Sequence, residues 1–175
     1  TGRLMLPSSL ISRRSVLACA MLGLSVAPAR ALDRPQGKVV LSLTGKILRP
    51  NGEGRADFDM DMLAALPQTT VTTRTPWDKE PRRFTGPLLR DVLAAAGAQG
   101  SSLQAIALND YRIDIPAEDA RLFDVIVARL LDDQPMRVRD RGPLFIMYPF
   151  DSKAELRAQR YYARAAWQLR SLDVQ

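Results

Sequence analysis

The chain contains no histidine and only one cysteine, Cys19. The lack of imidazole excludes histidine metal sites, histidine-based catalytic triads and the usual general base near neutral pH. Cys19 lies in a segment that we expect to be removed, so the remaining protein would have no disulfide, thiolate nucleophile or thiolate metal ligand. Zinc and copper sites of the ordinary kinds are therefore not expected.

The chain also lacks a strong charge bias once its first segment is set aside. Of its 25 lysines and arginines, four lie in residues 1–31, a stretch without any acidic residue. Residues 32–175 then carry 21 basic and 19 acidic groups, a net charge of about +2. The high isoelectric point comes mostly from the first segment, so we expect no nucleic-acid partner.

That first segment resembles a bacterial twin-arginine export leader. Arg13 and Arg14 precede an uncharged run at residues 15–29, and an Ala-x-Ala cleavage site follows. The run is shorter than the roughly 20 apolar residues that span a bilayer, so we expect cleavage and no stable membrane span. A general secretory leader is the alternative. We predict an export signal at 1–31 and one periplasmic domain at 32–175.

Short strands and short helices alternate along the predicted domain. Strands are predicted at 38–48, 56–58, 69–75, 82–85, 103–108, 111–115, 144–148 and 165–174. Helices are predicted at 60–66, capped by Asp59, at 88–96, ended by Gly97, and at 116–122. The pieces at 103–108 and 111–115 should form a hairpin. This pattern predicts an α+β fold with a β-rich mixed sheet or a barrel-like core and short helices.

Four segments give the chain a resemblance to the molybdopterin-binding oxidoreductase domain of the sulfite oxidase type. A short helix precedes Leu-Pro at residues 58–67, and a "G-x-x-L-x-D-L-L"-like piece occupies residues 84–93. A "D-G-Y"-like turn lies at residues 107–111, before Ile115-Pro116. The sequence GPLFIMYP at residues 142–149, followed by Trp-Gln-Leu at residues 167–169, is similar to the closing piece. The resemblance implies a sulfite oxidase-type fold. We expect no cofactor, and molybdopterin is the alternative that the resemblance allows.

The chain departs from this family at the metal ligand. The resemblance implies a molybdenum-binding cysteine just after the strand that follows the Leu-Pro piece. Threonines, Thr73 or Thr75, stand near that place in this sequence. A neutral hydroxyl is a hard, weak ligand and does not replace a soft thiolate. No metal ligand set and no catalytic residue is therefore predicted.

Three groups of side chains are candidates for binding. Thr73, Arg74, Thr75 and Trp77 could hold an anion or a planar ring by hydrogen bonding and stacking, and the resemblance places the cofactor cleft here. The alternative is a polar strand edge. The other groups are Asn109, Asp110 and Tyr111, which could equally form a plain turn, and Arg139 and Arg141 with Arg137, which could bind an anion or stay solvated beside Asp140. Arg160 and Arg164 have the same two alternatives.

Two functions remain open from the sequence. The first is a non-catalytic periplasmic module that binds a small anionic or heterocyclic, pterin-like ligand, or that docks on a periplasmic or membrane protein. The second is a molybdopterin-dependent oxidoreductase with a non-cysteine metal environment. The missing thiolate favours the first, whereas the leader and the resemblance favour the second.

Overall fold

The computed structural model describes residue 2 and residues 31–175. Nearly all of the predicted export leader, residues 1–31, lies outside the described residues. Within them, no helix is long and apolar enough to cross a membrane. The fold is mixed α+β, as predicted, with short helices and several sheets. The expectation of a barrel-like core is wrong, because the strands form separate open sheets that do not close on themselves.

The largest sheet has five strands in the order β2-β1-β11-β5-β6. The pair β1–β11 is parallel and the other pairs are antiparallel. β5 and β6 form the predicted hairpin. The strands are β1 (Val39–Gly45), β2 (Ala56–Asp59), β5 (Ser102–Ala107), β6 (Arg112–Pro116) and β11 (Leu169–Val174).

The second sheet has the order β3-β4-β8-β9, and a two-stranded sheet pairs β10 with β7. The β3–β4 pair is a long hairpin, and its second strand is 10 residues long, much longer than the short extended piece predicted at residues 82–85. These strands are β3 (Gln68–Thr75), β4 (Asp78–Pro87), β7 (Ile126–Ala128), β8 (Leu130–Leu131), β9 (Gln134–Pro135) and β10 (Phe145–Met147).

Within residues 31–175, four short α-helices pack around the sheets. Asp59 caps the first of them, as predicted, by accepting a 2.8 Å hydrogen bond from the Met62 amide. Gly97 ends the second in the left-handed conformation that glycine adopts without a steric penalty. The helices are α1 (Met60–Ala65), α2 (Leu89–Ala96), α3 (Asp119–Leu122) and α4 (Gln159–Arg164).

The core lies between the large sheet, the helices and the two smaller sheets. Alternate residues of the strands point into it, as the period of two requires. Its largest fully buried side chains include Leu41 and Leu43 of β1, Phe84 of β4, and Tyr148 and Phe150 just after β10. The aromatic part of this core extends to the surface at the β3–β4 turn, where Trp77 lies close to Asn109 and Tyr111.

The last predicted strand, residues 165–174, begins later than expected. Only Leu169–Val174 pairs in the sheet. Gln168 has a positive φ of 52°, which breaks the extended path before the strand starts. Trp167 pairs instead as an isolated bridge with Phe145. The segment before it contains α4, a helix that the polar sequence did not predict.

Candidate functional site

Trp77 occupies the turn between β3 and β4 and is the centre of an aromatic cluster. Its ring centroid lies 5.5 Å from that of Trp167, at an interplanar angle of 86°. It lies 6.0 Å from Phe145 and 6.4 Å from Phe150. Such edge-to-face and offset pairs each contribute about 0.5–1.5 kcal/mol beyond the burial of their area. The cluster therefore fixes both indoles at the surface end of the core.

A cavity of about 400 Å³ opens beside the two indoles, and we name it the aromatic cavity. Its walls come from the β3–β4 turn, the β5–β6 turn, α4 and the segment before β11. All of its lining residues are uncharged: Pro76, Trp77, Asn109, Tyr111, Gln159, Tyr162, Ala163, Ala165, Ala166 and Trp167. Aromatic walls with a few amide groups match the general character of small-molecule pockets in proteins.

The indole N–H of Trp77 is buried without a hydrogen-bond partner. In the part of the chain that the structure describes, it is the one fully buried side-chain nitrogen or oxygen without a hydrogen-bond partner. Leaving a buried donor unpaired costs roughly 1–3 kcal/mol. Buried unpaired donors are few in folded proteins, and those that persist can serve a functional role. The fold thus keeps a cost at the same residue that lines the cavity.

The structure brings three of the predicted site residues together in the aromatic cavity. They are Trp77, Asn109 and Tyr111. Asn109 also makes the turn that the sequence offered as its alternative role, because its Oδ1 accepts a 3.2 Å hydrogen bond from the Tyr111 amide. Asp110 points elsewhere and forms a 2.6 Å ion pair with Arg170. The β5–β6 turn therefore supplies both a wall of the cavity and an ordinary turn.

The two threonines lie near Trp77 but use their hydroxyls inside the fold. The buried Thr73 Oγ1 accepts a 3.0 Å hydrogen bond from the Asp151 amide. The buried Thr75 Oγ1 donates to Asp78 Oδ2 at 2.8 Å and accepts from the Asp78 amide at 3.0 Å. Arg74 is exposed, and its amide donates to Asp151 Oδ2 at 2.9 Å. These residues shape the β3 edge and the turn that carries Trp77.

The predicted arginines line a different cavity of about 700 Å³, which we name the arginine cavity. Arg82, Arg137, Arg139 and Arg141 share it with Asp78, Asp132 and Asp140. Arg137 and Arg82 form ion pairs of 2.6 and 2.7 Å with aspartates of this set. Arg139 is mostly exposed and 3.9 Å from its nearest carboxylate oxygen. Most of the positive charge is therefore already compensated.

Arg141 connects the two cavities. Its Nη1 donates to both carboxylate oxygens of Asp78, at 2.9 and 3.1 Å. Its guanidinium carbon lies 5.9 Å from the centroid of the Trp77 ring, within the range of a cation–π contact. Asp78 in turn holds Thr75, as described above. Arg141 is thus a support for the Trp77 ring rather than a free anion ligand.

A buried polar cluster stands behind α4, the helix that lines the aromatic cavity. The Tyr148 hydroxyl and Arg164 Nη1 both donate to Asp119 Oδ2, at 2.7 and 2.8 Å. Burial, and then the neighbouring Asp119 carboxylate, raise the pKa of Tyr148 far above its ordinary value. Arg164 therefore pairs with Asp119, whereas the sequence offered anion binding or solvation. The cluster joins α3, the residue that follows β10, and α4.

Sequence reasoning missed the residues that complete the aromatic cavity. The sequence pattern assigns Trp167 to the closing strand, and Tyr162 and Gln159 belong to a helix that it does not predict. These residues approach Trp77 only through the tertiary fold. No local signal in the sequence places Trp167 beside Trp77.

The residues present do not fit the metal of a molybdopterin cofactor. Residues 31–175 contain no cysteine, and both threonine hydroxyls near Trp77 are hydrogen-bonded within the protein. Within residues 31–175, no group of three or more acidic or cysteine side chains is arranged to hold a metal ion.

No family model matches the sequence, and no curated protein matches it.

Proposed function

We propose that this chain is an exported, non-catalytic binding domain of sulfite oxidase-type fold that holds a small planar heterocycle, such as a pterin, in the aromatic cavity. One observation carries the proposal: both tryptophans line an uncharged cavity of about 400 Å³, with Tyr111, Tyr162 and two side-chain amides. This volume lies within the range of small-ligand pockets.

The ring geometry favours a flat ligand. The two indoles are nearly perpendicular, so a planar ring stacked on one of them meets the other edge-on. Asn109 and Gln159 supply both hydrogen-bond donors and acceptors at the same cavity. A pterin carries amide-like donor and acceptor groups on its rim and suits such a lining. A purely anionic ligand suits it less, because no lining side chain is charged.

The oxidoreductase alternative receives no such support. It requires a metal ligand, and the hydroxyls at that place are already hydrogen-bonded to Asp151 and Asp78. The arginines that could hold an anionic group are mostly paired with aspartates. We therefore propose binding without catalysis, in a protein whose first 31 residues direct export to the periplasm.

Fluorescence titration with biopterin tests the ligand proposal. Both tryptophans of the chain line the cavity, so the whole tryptophan emission reports on it. We expect saturable quenching by biopterin, confirmed by calorimetry, and no comparable change with inorganic phosphate. No saturable binding of biopterin would overturn the pterin assignment.

A pair of variants places the ligand. Tyr111→Ala removes a half-exposed wall of the cavity and leaves the backbone bonds of the turn in place. Loss of one stacking ring costs roughly 1–3 kcal/mol, so the Kd should rise by roughly 5- to 150-fold. Leu122→Ala removes a similarly exposed side chain of α3 outside the cavity and should leave the Kd unchanged.

Metal analysis of the exported protein tests the non-catalytic part. The full chain is produced in a molybdenum-replete, twin-arginine-competent bacterium, and the periplasmic protein is assayed for molybdenum by mass spectrometry. We expect processing of the leader and molybdenum far below one atom per chain. Near-stoichiometric molybdenum would refute the proposal of binding without catalysis.

A further inference from the structure

The hydrogen-bonding groups of the aromatic cavity are not evenly divided between donors and acceptors. Asn109 lines the cavity, and its Oδ1 already accepts the 3.2 Å hydrogen bond from the Tyr111 amide. This bond assigns the oxygen of the Asn109 amide and leaves its NH2 group, a donor, for a ligand. Within residues 31–175 this NH2 group has no other hydrogen-bond partner. Asn109 therefore offers the cavity a donor and not an acceptor.

Three further side chains of the lining have polar groups without an internal partner. The hydroxyls of Tyr111 and Tyr162 and the amide of Gln159 form no hydrogen bond within residues 31–175. Each of these groups can donate as well as accept. No lining side chain is a carboxylate, so none is restricted to accepting. The lining can thus satisfy a ligand edge made of acceptors, whereas a ligand donor placed at Asn109 would face another donor.

The two indoles set the shape that a bound ring must have. Their planes meet at 86° and their centroids are 5.5 Å apart, so they do not form a parallel sandwich. A flat aromatic ring can stack on one indole and meet the other edge-on, the two arrangements that aromatic quadrupoles favour. A ring with saturated carbons carries hydrogens on both faces, which hold it away from an indole. The geometry therefore favours a fully aromatic ring over a partly saturated one.

The aromatic walls are accessible and fixed before a ligand arrives. The exposed fraction is 41% for Trp167 and 50% for Tyr111, so a ligand reaches them without opening the core. Trp77 packs against Phe145 and Phe150 at centroid distances of 6.0 and 6.4 Å. Packed cores resist deformation, so these walls do not reshape around a puckered ring. A preorganised site keeps its selectivity between ligands of different shape.

The oxidised and tetrahydro forms of a pterin differ in both of these properties. In the oxidised ring system the two pyrazine nitrogens are lone-pair acceptors, and the whole bicycle is flat. In the tetrahydro form the same nitrogens are N–H donors, and the carbons between them are saturated, so this half of the bicycle is puckered. The oxidised form matches the donor of Asn109 and the faces of the indoles, whereas the tetrahydro form conflicts with both.

We propose that the aromatic cavity selects the oxidised, fully aromatic form of its heterocycle over the tetrahydro form. The Asn109 NH2 group donates to an acceptor nitrogen of the ring, and the indoles disfavour a puckered ring. This inference rests on the proposed function, because it specifies the oxidation state of the ligand proposed there. The protein distinguishes two forms of one compound and transfers no electron itself.

Calorimetric titration of the full-length protein with biopterin and with tetrahydrobiopterin, in the absence of oxygen, tests the proposal. We expect biopterin to bind roughly tenfold or more tightly than tetrahydrobiopterin, equivalent to about 1.4 kcal/mol. Saturable binding of both compounds with equal affinity, or with tetrahydrobiopterin the tighter, would overturn this inference and leave the proposed function standing. Absence of binding by both compounds would overturn the proposed function and this inference together.

The variant Asn109→Asp tests the role of the donor. The new carboxylate keeps an oxygen that can accept from the Tyr111 amide, so the turn is retained, and it replaces the NH2 donor by an acceptor. We expect the affinity for biopterin to fall roughly tenfold and the ratio of the two Kd values to move toward one, because tetrahydrobiopterin gains an acceptor for its N–H.

The matched control is Gln99→Glu, which makes the same exchange of amide for carboxylate at an exposed position outside the cavity. Both Kd values should stay unchanged in this control. Weaker binding of both compounds by the same factor in Asn109→Asp would refute the assignment of the donor to Asn109, because a general disturbance of the cavity acts on both ligands alike.

Discussion

Removal of the Tyr148 hydroxyl should destabilise the fold by about 2 kcal/mol. The Tyr148 side chain is fully buried, and its hydroxyl donates a 2.7 Å hydrogen bond to the Asp119 carboxylate. Tyr148→Phe keeps the ring against Phe150 and Tyr161 and removes only this bond. A hydrogen bond to a charged group contributes roughly 1.5–3 kcal/mol, and Arg164 keeps Asp119 partly paired in the variant.

Urea unfolding followed by circular dichroism measures this loss. Thermal unfolding gives a second measure of the same loss. For a domain of about 150 residues, 1 kcal/mol of stability corresponds to roughly 2–4 °C, so the Tm should fall by about 4–8 °C. The matched control is Tyr111→Phe, whose ring is half exposed and whose effect should be close to zero. A loss below about 0.5 kcal/mol, or one equal to the control, would refute the conclusion that this hydrogen bond stabilises the fold.

The same variant makes a second, pH-dependent measurement possible. The pKa of Tyr148 is raised in the folded state above its ordinary 10.0, chiefly by burial and then by Asp119. The unfolded chain therefore releases this proton at lower pH than the folded one, so the contribution of Tyr148 is complete below pH 10 and declines above it. The difference in stability between the wild type and Tyr148→Phe should narrow as pH rises above about 10. A constant difference would contradict the burial argument.

Three further changes have defined outcomes. In Gly86→Ala the new Cβ would lie 2.0 Å from the Val127 carbonyl oxygen, so unfolding in urea should show a loss of roughly 1–3 kcal/mol. Backbone N–H donors lower the pKa of Asp59 below its ordinary 3.8, so the ionised carboxylate stabilises the fold above that pH and this stabilisation is lost in acid. In Asp59→Asn the Tm should therefore fall less steeply as the pH is lowered into the acid range. The exposed 2.8 Å pair of Arg90 with Asp124 should contribute little, and Arg90→Ala should change the unfolding free energy by less than about 0.5 kcal/mol.

Local signals in the sequence were sufficient for several elements. Asp59 and Gly97 mark the ends of α1 and α2 because capping and left-handed geometry depend on a few neighbouring residues. The β5–β6 hairpin followed from two β-rich runs around a turn. For α4, the polar sequence offered no apolar periodicity, and the helix is stabilised by contacts of Tyr161 and Arg164 with distant parts of the fold.

The candidate site also combines residues that the sequence predicts with residues that only the structure reveals. Trp77, Asn109 and Tyr111 are candidates from the sequence, and all three line the aromatic cavity. The hydrogen-bond partners of the threonines around Trp77 are visible only in the structure. The β-prone neighbours of Trp167 predict a strand there. Gln168, whose φ is positive, precedes the actual start of β11 and forms hydrogen bonds with Leu108, Val138 and Arg141, which are distant in sequence.

The position of β11 has a consequence for how the protein is made. β11 lies between β1 and β5 in the large sheet, and its Asp173 bonds to Thr44, 129 residues earlier. A ribosome must therefore deliver residues 169–174 before β1 and β5 have their shared neighbour, and pairing of such long range is intrinsically slow. A nascent chain halted before residue 169 would therefore expose two unpaired strand edges to proteases and chaperones.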